Sequence, residues 1–279
     1  TWFQLYPMID TDMEDAVLAR AEKSGYEVLV VTVDIPTITR RERDASNGLS
    51  VPPRFELSTL LQIMARPGWA LQTLVDGIPQ FETMMPYAPK ELSNEEQIKF
   101  LAGAINAHVT PEKLARLRSR WKGWLVIKGV LDTADAKLCV DSGADAIVVS
   151  NHGGRQLDHG RGSIEVLPEV IAAVGGKASV LVDGSIMRGT DVIKALALGA
   201  NAVCIGKLQG LGLAAAGKEG LVHLLKLLES EIRISMALLG LRNFTEIDSS
   251  FVEEVEPIIE PHVISPYTHI DIEELEYDR

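Results

Sequence analysis

The chain has 279 residues, 46% of them apolar, enough to bury the core of one large α/β domain or of two small ones. A formal net charge of −12, from 27 Lys and Arg against 39 Asp and Glu, disfavours nucleic acid and anionic lipid headgroups as general partners. Cys139 and Cys204 sit in apolar contexts with no metal-ligand spacing, and no apolar run is long enough for a membrane span, so buried thiols in a reducing, cytoplasmic setting are expected and no metal site.

Strand-like runs come at Trp2–Tyr6, Val28–Val33, Trp124–Lys128, Ala146–Ser150, Val180–Asp183 and Ala202–Gly206. Helix-period segments lie between and after them at Asp12–Lys23, Thr133–Val140, Ile164–Val174, Thr190–Leu198 and Leu208–Ala216, and Val222–Leu239 reads as one further long helix. Continuous apolar strands alternating with amphipathic helices predict a parallel sheet covered by helices. The last four strands recur every 22 to 34 residues, the rhythm of a (β/α)8 TIM barrel. An open doubly wound sheet is the alternative, but no GxGxxG turn follows the first strand. Six of the eight strand units of such a barrel are countable. The chain opens directly on strand-like residues at Thr1, so the expectation is one incomplete barrel domain over 1–279 that lacks the N-terminal strands.

Between Asp34 and Trp124 the rhythm breaks. Residues 35–110 read as a long insertion, either a lid or a surface packed on the barrel or a neighbouring subunit. Within it, 57–81 is amphipathic helix material interrupted at Arg66-Pro67-Gly68. An acidic tail runs from about residue 250.

A barrel builds its site from the C-terminal ends of its strands. Those ends carry Gln4 and Tyr6; Thr32 and Asp34, with Arg41 soon after; Lys128; Ser150 and His152; Asp183, Gly184 and Ser185; and Gly206 with Lys207. His152 stands just past a strand with two glycines behind it, which suits a general base that needs room for substrate beside its ring. Asp34 could orient the imidazole and stabilise its protonated form. Arg155 and Arg41 offer planar forks for a carboxylate. His159 competes for the role of base but lies deeper in its loop. The stretch from Asp183 to Lys207, with a helix starting near Gly189, reads as a phosphate cradle of backbone N–H groups. Lys128 could be a Schiff-base lysine, a phosphate contact or a fixed charge beside an anionic cofactor.

Six motifs, "FQLY" at 3–6, "TVD" at 32–34, "RRERD" at 40–44, "KGV" at 128–130, "SNHGGRQLD" at 150–158 and "RGTDVIKALALGA" at 188–200, occur in the order found in the FMN-dependent 2-hydroxy-acid oxidases and dehydrogenases. The chain resembles that family, which includes glycolate oxidase, lactate and mandelate dehydrogenases and the flavin domain of flavocytochrome b2. The resemblance implies FMN as cofactor and oxidation of an L-2-hydroxy acid to the 2-oxo acid. His152 would take the hydroxyl proton as hydride passes to flavin N5; a carbanion route, in which His152 removes the C2 proton, uses the same residues. Asp34 would stabilise the imidazolium, Arg155 and Arg41 would hold the carboxylate, and Tyr6 would hydrogen-bond the substrate. Lys128 would sit near flavin N1, with Gln4, Thr32 and Ser150 on the ring. Asp183, Gly184, Ser185, Arg188, Gly206 and Lys207 would lie toward the ribityl chain and phosphate.

The same resemblance implies a homo-oligomer, a tetramer, and an electron acceptor that is oxygen, a quinone or a redox protein. It also implies a preceding segment with the first strands, removed or carried on another polypeptide. "NGLSVPP" and the 57–81 stretch resemble the loop by which some lactate and mandelate dehydrogenases dock peripherally on membranes. Three departures bear on the phosphate: Ser185 stands where the family has a second glycine, Met187 where it has an arginine, and Lys207 where it has another. Arg188 is the available substitute. Alternative readings are a flavin barrel acting on a substrate other than a hydroxy acid, and a flavin-poor, non-catalytic remnant.

Overall fold

The computed structural model describes residues 1–37, 57–77, 81–105, 108–157 and 159–255. The strands are β1 (Trp2–Leu5), β2 (Val28–Thr32), β3 (Trp124–Val130), β4 (Ala146–Val149), β5 (Ser179–Val182) and β6 (Ala202–Val203). They form one six-stranded sheet in sequential order, every neighbouring pair parallel. Sequential parallel strands joined by helices are the winding of an α/β barrel. β1 and β6 are the two edges of this sheet, so it is not closed among the described residues.

The helices are α1 (Thr11–Lys23), α2 (Leu57–Met64), α3 (Pro67–Asp76), α4 (Asn94–Ala104), α5 (Pro111–Arg120), α6 (Thr133–Asp141), α7 (Ser163–Val174), α8 (Gly189–Ala197) and α9 (Lys207–Leu238). Local chemistry sets several starts. Asp10 accepts from the N–H groups of Asp12 and Met13, Thr110 from Lys113, and Asp132 from Ala134 and Asp135, each supplying acceptors for N–H groups a helix leaves open. The α9 run is two helices joined at Ala216 and Gly217, whose backbone angles are not helical. The break falls where the sequence divides Leu208–Ala216 from Val222–Leu239. Beyond it the run folds back so closely that a Cβ on Gly220 would collide with the carbonyl of Gly212.

Strand alternation sorts the core into two layers. Leu5, Leu29, Val31, Leu125, Ile127, Ile147, Val149, Val180 and Val182 face the helices and pack with Leu18, Leu117, Leu167 and Val170. Val30, Val126, Ala146, Val148 and Leu181 form a smaller cluster on the opposite, inner face, with Val28 and Cys204 against it. Period two along each strand then fixes which residues stand above that cluster at the C-terminal ends.

The insertion behaves as two parts. Residues 81–105 pack on the barrel: Leu101 is buried, Ala104 O accepts from the N–H of Ile9, and Arg20 donates to Thr83 O. α2 and α3 instead pack on each other and leave Leu57, Leu61, Met64, Trp69, Leu71 and Leu74 exposed, Leu74 by 83%. Strand ends are shifted from the sequence reading. β3 runs on to Val130 through an irregularity after Lys128, and β6 is cut to two residues, with Cys204 N–H still bonded to Val182 O.

Candidate active site

Gln4, Thr32, Asp34, Lys128, Ser150 and Asp183 carry the inner-face parity of Val30, Val126, Val148 and Leu181, and they stand as a polar layer above those residues. Two are wholly inside: Ser150 is 0% and Thr32 2% exposed. Gln4 donates to Thr32 Oγ1 at 2.8 Å, joining the tops of β1 and β2. Tyr6 lies beside them, its hydroxyl 3.4 Å from Gln4 Nε2.

Lys128 reaches across two strands. Its Nζ donates to Ser150 Oγ at 2.8 Å and to Asp183 Oδ2 at 2.9 Å. Ser150 Oγ also accepts the N–H of His152 at 3.1 Å, so one buried hydroxyl ties the lysine to the start of the histidine loop. The loop then turns sharply: His152 has φ 57°, a left-handed conformation that a non-glycine residue holds at a cost of about 1–3 kcal/mol when its surroundings enforce it. The turn brings His152 Nδ1 to 3.2 Å from Asp34 Oδ1. An ionised carboxylate only accepts, so Nδ1 carries the proton of the neutral ring and Nε2 is left as its basic atom.

Arg155 lies on the same loop and is exposed, as is His159, which takes no part in the Asp34–His152 pair. Arg41 lies outside the described residues. In the stretch expected to cradle a phosphate, Gly184 has φ 100° and Ser185 φ 56°, and space is open where a side chain at Gly206 would be. Lys207 Nζ donates to Gly153 O at 2.8 Å, linking the end of β6 to the histidine loop. Arg188 is turned to the last helix, where its Nε bonds Glu231 at 2.7 Å, and the other Glu231 oxygen accepts the N–H of Gly189. The carboxylate of Asp191 takes the N–H groups of Met187 and Arg188.

Residues chosen from strand ends therefore do converge, but some partners were not foreseen. The Lys128–Asp183 ion pair is one, since the two were placed at different parts of a cofactor; equal height on the inner face was the available signal. Ser150 as the shared hydroxyl is another. Gly129, which lies against Asp34, gave no signal beyond its place in "KGV". Cys204, just past β6, is held as a thiol: burial pushes its pKa up, the charge of Asp183 adds to this, and Lys128 partly opposes it.

A cavity of about 390 Å³ adjoins the pair, walled by Val33, Pro36, Leu131 and Leu157 and bordered by Asp34 and Asn151. A larger one of about 470 Å³ opens at the other end of the sheet, among Trp124, Asp145, Ser179 and Asn201. It lies at the N-terminal ends of the strands, away from the Asp34–His152 pair, whereas the smaller cavity is bordered by Asp34 itself.

A sequentially wound parallel sheet whose C-terminal ends carry a histidine–carboxylate pair beside a part-buried lysine defines a site of the α/β-barrel enzyme class. The chain belongs to the FMN-dependent dehydrogenase family, matching it over residues 1–254. It is 43% identical over 251 residues to an L-lactate oxidase of Nostoc sp., covering 90% of this chain and 63% of that protein. It is 41% identical over 257 residues to an L-lactate dehydrogenase of Caulobacter vibrioides, covering 92% and 67%. The crystal structure of a monotopic membrane protein, (S)-mandelate dehydrogenase, superposes with a TM-score of 0.84 at 34% identity over 90% of this chain and 66% of that one. A mandelate oxidase structure gives 0.66 at 38% identity, over 88% and 60%. The chain thus spans about two thirds or less of the length of these relatives.

The atoms left over at the site suit the family's cofactor. Asp183 Oδ1, Asp34 Oδ2 and Ser163 Oγ are buried without a hydrogen-bond partner among the described residues, and Ser163 Oγ lies beside Gly184. Buried polar atoms are ordinarily satisfied, and a hydroxyl-bearing ribityl chain supplies donors of the kind Asp183 lacks. The part-buried cation at Lys128 suits an anionic edge of the flavin ring.

Proposed function

We propose that the protein oxidises an L-2-hydroxy acid of the lactate, mandelate or glycolate type to the 2-oxo acid, with FMN as the immediate acceptor. The observation that carries this reading is the Asp34–His152 pair, set in one polar layer with the Lys128–Ser150–Asp183 cluster. The names of the relatives, lactate and mandelate oxidases and dehydrogenases, support the substrate class.

Bound FMN supplies a two-electron acceptor for the hydrogen at substrate C2. Gln4, Thr32 and Ser150 would hold its ring and Lys128 its anionic edge. Asp183, Gly184, Ser185, Gly206 and Lys207 would hold the ribityl phosphate, and Arg188 would join them only by releasing Glu231. His152 Nε2 takes the proton of the substrate hydroxyl, and Asp34 stabilises the imidazolium that results. Arg155 and Arg41 grip the substrate carboxylate through their planar forks, and Tyr6 donates to the substrate.

Anaerobic addition of L-lactate, L-mandelate or glycolate to the yellow, FMN-loaded protein is the test. Bleaching by one of them, abolished in His152→Gln, is the expected result; a protein that takes up no FMN ends the reading. Reoxidation by oxygen, a quinone or a redox protein then separates oxidase from dehydrogenase, and light scattering tests the tetramer.

We further propose peripheral attachment to a membrane through α2 and α3. No described helix is long and apolar enough to cross one, but this pair presents Leu57, Leu61, Met64, Trp69 and Leu74 outward and carries few charges. Cosedimentation with neutral phosphatidylcholine vesicles, lost in Trp69→Ser with Leu74→Ser, is the expected outcome. An unchanged supernatant fraction for the native protein defeats the proposal.

A further inference from the structure

β3 and β4 keep register through Lys128 and Val148, and then Val130 pairs with Val149, so Gly129 is one residue in excess on the β3 side. An inserted residue reverses the alternation of the later residues on its strand. Val126 and Lys128 face inward, yet Val130, two positions on, packs in the helix-side core. Gly129 holds φ 105°, a region in which a side chain is strained.

The atoms that occupy the space beside it are more specific. A Cβ at position 129 would stand 2.5 Å from Cγ of Asp34, 2.6 Å from its Cβ and 2.9 Å from its Oδ1. Oδ1 is the oxygen that meets His152 Nδ1. The neighbouring backbone is tied in place, because Val33 N–H donates to Lys128 O at 2.8 Å. The residue before Asp34 is thereby bonded to the residue before Gly129, and the two strand ends cannot part without breaking that bond.

We propose that Gly129 is a positioning residue for the Asp34–His152 pair: its missing side chain is the space that seats the Asp34 carboxylate against Nδ1. A methyl group there drives the carboxylate off the imidazole, which then loses the acceptor that fixes its tautomer and orientation. The effect on turnover rests on the reading of His152 as the base; the geometric effect does not.

Gly129→Ala, Asp34→Gly and the double variant test this by two readouts. In protein labelled with ¹⁵N-histidine, the downfield imidazole N–H resonance of the Nδ1–H···Oδ1 bond is identified by its loss in Asp34→Gly. It is expected to vanish in Gly129→Ala while the other histidine signals stay in place. Turnover in Gly129→Ala is expected to fall about 10²-fold, the scale of a misplacement near 1 Å. In the Asp34→Gly background the same substitution is expected to cost no more than about twofold, because the two act through one interaction. A resonance that persists in Gly129→Ala, or an equal rate loss in both backgrounds, overturns the proposal. Should Gly129→Ala fail to fold, the double variant decides: folding restored by Asp34→Gly supports the proposal, and continued misfolding overturns it by making backbone strain the cause. A protein that oxidises no 2-hydroxy acid still reports on the positioning through the resonance, so the two readings fail separately.

Discussion

Asp34 Oδ1 and His152 Nδ1 stand 3.2 Å apart across 118 positions of sequence, the carboxylate arriving past the end of β2 and the imidazole past the end of β4. The two strands are not neighbours; β3 lies between them, and its Gly129 leaves the gap across which the pair meets. His152→Gln removes the proposed base and is expected to lower turnover by about 10²–10⁴-fold without loss of flavin binding. Asp34→Asn keeps the shape but exchanges a charge-assisted hydrogen bond for a neutral one. That difference of about 1–1.5 kcal/mol corresponds to a fall of roughly fivefold to tenfold. Steady-state kinetics on the flavin-loaded variants, with flavin content read from absorbance, checks both.

Lys128 has a structural part beside the chemical one proposed for it. Its ammonium is the partner of Asp183, which already has one buried oxygen without a partner among the described residues. Lys128→Met is expected to abolish flavin reduction and also to lower stability by about 1–3 kcal/mol, the cost of leaving the part-buried carboxylate without its partner. Adding Asp183→Asn removes the stranded charge and is expected to restore most of the stability and none of the turnover. Urea unfolding followed by circular dichroism, together with stopped-flow flavin reduction, separates the two effects.

Much of this was legible in the sequence because both the fold and the site follow from period two and from strand order. Runs such as Val28–Val33 and Ala146–Ser150 are apolar on both faces up to their ends, so they had to be covered strands, and Thr32 and Ser150 stood out as the polar groups at those ends. His152 and Asp34 were found by asking what each strand ends with. The bulge was not legible, because Gly129 is spelled like any glycine in a strand and its purpose lies in Asp34, remote in sequence. The turning of Arg188 toward Glu231 was equally hidden, since Glu231 sits on a distant helix whose docking no local pattern reveals.

Glu14 is 0% exposed and holds the two sides of the helical layer together. Its carboxylate accepts the N–H of Met8 at 2.8 Å, pairs with Lys113 Nζ at 3.1 Å and is gripped by Arg116, which also reaches Asp15 at 2.8 Å. Burial opposes the charge of Arg116, but the hydrogen bond to Asp15 and the charges of Glu14 and Asp15 outweigh it, and its pKa is raised. Glu14→Ala leaves the two cations and the Met8 N–H without that acceptor. A loss of about 3–5 kcal/mol in unfolding free energy is expected, with turnover per folded molecule unchanged. Chemical unfolding and active-site titration by bound flavin check the pair of outcomes. A turnover loss of the same size would place Glu14 in the chemistry, which its position between α1 and α5 argues against.

Cys139, buried on α6, gives the fold an alkaline limit. Burial pushes its thiol from 9.0 up to about 12, and the charge of Asp135 adds to the shift. The folded chain therefore keeps this proton up to about pH 12, whereas the unfolded chain releases it near 9.0. Between those values the unfolded state binds fewer protons than the folded one, so stability falls as pH rises, by about 1.4 kcal/mol for each pH unit from this group. Below the lower value both states hold the proton and the group contributes no pH dependence. Cys139→Ala has nothing to ionise there; its cavity lowers stability by a constant amount, and its curve against pH is expected to be flatter by that slope. Urea unfolding of both proteins at steps between about pH 8 and about pH 11 measures the difference directly, with Cys204 and the surface lysines common to both. Parallel curves would show that Cys139 reaches solvent as a thiolate in the folded chain.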